Sequence, residues 1–220
     1  MMLADSRVRD GDHLHTDEPK TARTCPRLVV GIGGTIGGPS STERALRIAI
    51  AAAAGEGFST RIFGGAELAR LPLYDPKAAK RTAEEQDFVE AVRNASALIV
   101  ASPGYHGNVS GAVKNALDLL EETANDPHRT YLADMPVGLI STAYGWQATG
   151  STIAALRSIV HSLRGWPTPY AAAINCQITR FDDAGGANDP EAVEQLAMVG
   201  RQVARFAPPA MPRQAIEQPA

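Results

Sequence analysis

Short apolar runs alternate with amphipathic stretches along almost the whole chain. Arg27 to Gly33 (RLVVGIG), Ala97 to Ala101 and Met135 to Ser141 (MPVGLIS) are nearly continuous in apolar residues, the pattern of strands buried on both faces of a parallel sheet. Phe58, Thr60 and Ile62 alternate and predict a second strand, and Pro169 to Ile174 predicts a fifth. Helical spacing fills the gaps. Leu46, Ala49 and Ala53 share one side of a helix over Glu43 to Ala54. Thr82 with Glu85 makes a capping box for a helix that buries Phe88, Val89 and Val92. Val113, Leu117 and Leu120 mark a helix running to about Thr123. Ile153, Leu156, Ile159, Val160 and Leu163 mark the next. Pro190, with Asp189 before it as a cap, opens a last helix facing inward through Val193, Leu196, Gly200 and Val203. Five strands alternating with helices predict a doubly wound five-stranded parallel sheet with helices on both faces and right-handed crossovers.

Composition narrows the function class without naming one. A net charge of -3 with 20% charged residues argues against a dedicated nucleic-acid binder. No apolar run approaches the roughly 18 residues of a membrane helix. Residues 1–24 mix both charge signs with few apolar groups, and are expected to be a mobile tail without a signal core; residues 208–220 form a short second tail. The domain expected between them is 25–207. Cys25 and Cys176 give no disulfide framework, which suits a reducing cytoplasm. His13 and His15 form an H-x-H pair with no third ligand nearby, so no metal is expected. Cys176 is expected to be a buried small hydrophobe.

The candidate chemistry lies in the loops that follow the strands. After the first strand, Gly38 is followed by Pro39, so the lysine of a Walker phosphate loop is missing. Gly31 and Gly33 begin a dinucleotide fingerprint, but Ile36 occupies its third position. Phe63-Gly64-Gly65 stands where a ribose-binding acid would. What remains is a loop for one monophosphate, with Ser40, Ser41 and Thr42 as hydroxyl donors at a helix start. One of them also serves as an ordinary helix cap. In a flavodoxin-like strand order, 2-1-3-4-5, strands 1, 3 and 4 end side by side. Their loops then form one rim: the phosphate loop, Ser102 to Asn108, and Ser141 to Gln147 (STAYGWQ). A flat, electron-accepting ring with a phosphorylated tail fits such a rim, and FMN has this shape.

The segment SPGYHGNVSGAVKNALD, from Ser102 to Asp118, resembles the S-P-x-Y-x-x-x-x-x-G-x-L-K-N-x-x-D signature of the NADPH-dependent FMN reductase family, with Val113 for the usual leucine. The resemblance covers about Leu28 to Ile174 and includes LPLYDP. It implies a flavodoxin-like fold with FMN and NADPH or NADH as cofactors. Pro103, Gly104, Tyr105 and His106 would then meet the isoalloxazine and ribityl, with Asn108 as a cofactor-site residue at the end of the same loop. Gly34, Thr35, Ser40, Ser41 and Thr42 would surround the phosphate, and Ala143, Tyr144 and Gly145 would border the ring. Many members carry an arginine early in the phosphate loop, where this chain has Thr35. That departure favours loosely held FMN, with Arg44 either compensating or standing as an ordinary surface residue.

The activity implied is NAD(P)H-dependent reduction of FMN, which would supply reduced flavin to a partner monooxygenase. The alternatives are a quinone, azo or metal-oxyanion reductase, and an electron carrier without nicotinamide activity. Hydride transfer needs alignment more than an acid, so His106 is expected as a loop contact and no catalytic side chain is assigned. The resemblance also implies a homodimer or homotetramer.

Overall fold

The computed structural model describes residues 27–207. The tails, Cys25 and the His13/His15 pair therefore lie outside the described residues. In chain order the elements are β1 (Leu28–Gly33), α1 (Ser41–Gly55), β2 (Ser59–Phe63), α2 (Gly65–Leu68), α3 (Ala83–Arg93) and β3 (Ala97–Pro103). They continue with α4 (Gly111–Asp118), β4 (Pro136–Ala143), α5 (Trp146–Ser162), β5 (Trp166–Asn175) and α6 (Pro190–Phe206). All strand pairs are parallel, in the order β2-β1-β3-β4-β5. The expected topology is present, and β1, β3 and β4 end next to one another.

The sheet separates two cores. Val30, Ile32, Leu98, Val100 and Leu139 face α3, α4 and α5 through a cluster that includes Phe88, Val92, Val113 and Leu156. Val29, Ile99, Ile140 and Ile174 face α1 and α6 through Leu46, Ala49, Leu196 and Val203. Phe88 is fully buried and meets Phe63 edge to face, ring centroids 5.0 Å apart.

Three local readings need correction. The helix expected to run to about Thr123 is α-helical only to Asp118 and tightens to a 3-10 turn over Leu119–Thr123. The buried stripe of α5 passes through Thr149, Thr152, Leu156 and Val160, with Ile153 and Ile159 only partly covered. Two threonines are tolerated there because their hydroxyls donate to carbonyls of their own helix, Trp146 at 2.8 Å and Ala148 at 2.8 Å. Finally, β5 begins at Trp166, ahead of both Pro167 and Pro169. An edge strand accommodates prolines on its unpaired side, and the β4–β5 register slips between Val137 and Leu139.

Two sequence motifs are joined by one side chain. The Asn115 carbonyl oxygen accepts from the Tyr74 N–H at 2.8 Å, and its amide donates to the Pro72 carbonyl at 2.8 Å. Asn115 in α4 thereby fixes the backbone of the LPLYDP segment.

Candidate functional site

A cleft of about 840 Å³ opens where β1, β3 and β4 end, within the size range of small-ligand sites. Its first wall is the turn after β1, closed by a bridge between Thr35 and Gly38, and the first turn of α1. Ser40 caps α1: its hydroxyl accepts from the Glu43 N–H at 3.2 Å, which leaves its own hydrogen to donate outward. The turn is held from behind by α2. A Cβ on Gly65 would stand 1.9 Å from the Thr35 carbonyl oxygen, so only glycine lets the chain after β2 approach so closely. The Phe63-Gly64-Gly65 sequence that lacks a ribose-binding acid is thus a packing surface for the turn after β1. Glu43 completes that contact, accepting from the Gly65 N–H at 3.0 Å and from Arg47 at 2.6 Å.

The second wall is the loop after β3. Tyr105 and Asn108 exchange two backbone hydrogen bonds of 3.0 Å across His106 and Gly107, whose φ angles are 51° and 83°. Both lie in the left-handed region, the pattern of a tight type I′ turn; a histidine there is uncommon and a glycine expected. The Gly104 N–H donates to the Thr142 carbonyl at 2.8 Å, tying the loop to β4. A Cβ on Gly104 would meet Thr152 Oγ1 at 2.9 Å, so this loop is seated directly on α5. The Ser110 N–H donates to Ser102 Oγ at 2.9 Å and closes the base of the loop.

The third wall is the end of β4 and the first turn of α5. Gly145 caps α5 with no side-chain hydrogen bond, so the first N–H groups of this 17-residue helix have no side-chain acceptor. Two helix starts, of α1 and of α5, border the same cleft. The lining contains Arg44 and no aspartate or glutamate. Helix dipoles, hydroxyls and one guanidinium together favour negative charge in the cleft.

The sequence-derived residues Thr35, Ser40, Ser41, Thr42, Pro103, Gly104, Tyr105, His106, Ala143, Tyr144 and Gly145 all line the cleft. Gly34 and Asn108 do not. Gly34 is buried behind the turn, where a Cβ would meet the Gly65 nitrogen at 2.8 Å. The Asn108 side-chain oxygen accepts from the Val109 N–H at 2.8 Å, which makes the residue a turn-former. Thr142 and Gln147, in the third rim loop but not singled out, also line the cleft, and the sequence reading missed Ala148, Ser151 and Cys176 there. Cys176, expected in the core, is half-buried at the end of β5. Burial pushes its thiol up, and a hydrogen bond with Ser41 counteracts this in part. The rule that ligands sit beyond the carboxyl ends of strands would have pointed to Cys176 as well as to the three loops.

Beneath the cleft, the hydroxyls of Thr42 and Thr142 lie 2.6 Å apart, with the two residues 2% and 3% exposed. This bond joins the start of α1 to β4. Changing either threonine to valine strands the other hydroxyl and is expected to cost about 1–3 kcal/mol. The double valine variant should lose clearly less than the sum of the two, as read by urea unfolding of the three variants.

The strand order defines a flavodoxin-like α/β protein, and the cleft lies at its topological switch point. An NADH:FMN oxidoreductase has this fold, with a TM-score of 0.66 at 22% identity over 83% of this chain and 90% of that one. So does an NAD(P)H:(acceptor) oxidoreductase from Paracoccus denitrificans, with a TM-score of 0.67 at 16% identity over 82% and 97%. The NADPH-dependent FMN reductase family model matches residues 28–178, and the chain belongs to that family. An FMN-dependent NADPH-azoreductase from Staphylococcus haemolyticus is 35% identical over 99 residues, 44% of this chain and 48% of that protein. The chain thus spans about half the length of the curated relatives it matches. Among the described residues, no helix is long and apolar enough to cross a membrane.

Proposed function

We propose that the cleft binds FMN and that the protein reduces it with NADPH or NADH. The observation that carries this reading is the convergence of two helix starts, a row of hydroxyls and Arg44 on a lining free of carboxylates. Family membership and the names of the relatives support it. Ser40, Ser41, Thr42 and Thr35 would receive the phosphate. Pro103 to His106 and Ala143 to Gly145 would border the flavin ring, with Gly34 and Asn108 shaping the loops behind them. When bound, FMN supplies the hydride-accepting and electron-donating chemistry. The chain's own groups orient it, and the N–H donors at the start of α5 favour negative charge on the adjacent ring edge. No side chain is required to move a proton, and His106, exposed on its turn, is a wall residue.

The final acceptor is read as a planar aromatic molecule, an azo compound or quinone. Tyr105 and Tyr144 line the cleft 51% and 76% exposed and would stack on such a ring. Free flavin, passed on to a monooxygenase, is the other acceptor compatible with a loosely held cofactor. A second copy of the chain would cover these aromatics, in a cytoplasmic homodimer or homotetramer. Steady-state NADPH and NADH oxidation tests the reading. The expected result is FMN-dependent turnover, strongest with an azo dye or quinone present. No oxidation with saturating FMN and any acceptor would reject the enzyme and leave an electron carrier.

A further inference from the structure

We infer that Arg44 is the counter-charge for the ligand's phosphate, and that Asp183 occupies it when the phosphate is absent. This rests on the reading of the cleft as an FMN site. Arg44 lies one turn into α1, its side chain 29% exposed, on the wall where Ser40, Ser41 and Thr42 stand. It is the single lysine or arginine of the lining. The neighbouring Arg47 is engaged by Glu43 within α1. The Arg44 guanidinium donates instead to the Asp183 carboxylate.

Asp183 sits at the tip of a small closed turn between β5 and α6. That turn is held by the Phe181–Ala187 bridge, by the Asp182 N–H donating to the Gly186 carbonyl at 3.0 Å, and by the Gly186 N–H donating to Asp182 Oδ1 at 2.8 Å. The Asp183 side chain is 92% exposed. An ion pair with one partner almost wholly in water contributes little, so giving it up costs little. A phosphate monoester carries about -1.5 to -2 at neutral pH and offers three acceptor oxygens, and at a helix start it adds the dipole to the ion pair. The phosphate is therefore the stronger partner, and Asp183 is a weak competitor that keeps the guanidinium at the rim. This arrangement does the work of an arginine early in the phosphate loop, where this chain has Thr35. It also makes phosphate affinity adjustable by a residue outside the cleft lining.

The test is a fluorescence-quench titration with FMN and with riboflavin, which lacks the phosphate, on the full chain and its Arg44→Gln and Asp183→Asn variants. Arg44→Gln is expected to weaken FMN about tenfold, the scale of a charged hydrogen bond, while riboflavin stays within about twofold. Asp183→Asn is expected to hold or tighten FMN. Raised salt should weaken FMN binding more for the unaltered protein than for Arg44→Gln. Equal loss of FMN and riboflavin in Arg44→Gln would overturn the proposal, because Arg44 would then act through packing. Weakening of FMN by Asp183→Asn as large as by Arg44→Gln would also overturn it, since the pair would be a structural strap. Normal FMN binding by Arg44→Gln rejects Arg44 alone, whereas an unaltered protein that binds neither flavin rejects the reading of the cleft itself.

Discussion

Gly65→Ala is expected to weaken FMN binding by at least about tenfold while the protein still folds. The added Cβ would stand 1.9 Å from the Thr35 carbonyl oxygen and 2.8 Å from its carbon, both backbone atoms that cannot rotate away. The turn from Thr35 to Gly38 must therefore move by more than an ångström, and the donors at the phosphate end move with it. Misplacement on that scale is costly for a site that works by alignment. Overpacking of this kind also costs about 1–3 kcal/mol of stability, so affinity is to be measured at a temperature where the variant is fully folded. Gly55→Ala, at the end of α1 with nothing within 4 Å of the new Cβ, is the control. Unchanged FMN affinity in Gly65→Ala would mean that the turn after β1 does not hold the phosphate.

Phe88→Ala carries the largest expected loss of stability, about 3–5 kcal/mol. Phe88 is 0% exposed and lies in the core between α3 and the sheet, where its ring meets Phe63 edge to face within the cluster that also holds Ile32 and Val100. A domain of this kind has about 5–15 kcal/mol in total, so the variant should be marginal at 37 °C. Urea unfolding followed by circular dichroism reads the loss. FMN at about 100 times its dissociation constant should restore about 2.7 kcal/mol of it. A loss under about 1 kcal/mol would show that α3 collapses onto the sheet and closes the cavity.

How far the chain could be read before folding depended on which physical rule governed each segment. Strands buried on both faces, such as Ala97 to Ala101, carry a signal in every residue, and the alternation of strand and helix then predicts a doubly wound parallel sheet, whose order 2-1-3-4-5 came from the flavodoxin-like reading. Edge strands carry less. In β5 the strand was expected from Pro169 and begins at Trp166, and the edge position explains why Pro167 and Pro169 are both tolerated within it. In α5 the buried stripe holds Thr149 and Thr152, which look polar in a pattern yet satisfy themselves within their own helix.

The same division holds for the cleft. Its glycine-rich walls were visible because close approach and left-handed turns demand particular residues. Ala148, Ser151 and Cys176 have no such signature, and reach the cleft only because α5 begins and β5 ends beside it. Asn108 differs in kind: a polar residue of the loop after β3, it lies outside the cleft lining and its side-chain oxygen accepts from the Val109 N–H.

The two closed turns at Thr35–Gly38 and Tyr105–Asn108 have a kinetic corollary. Each is four residues long and cross-bridged, so neither wall has a long segment to swing aside for entry or exit. Ligand arrival should then be set by diffusional encounter and not by opening of these two turns. Differences between ligands with and without a phosphate would appear almost wholly in how long each one stays.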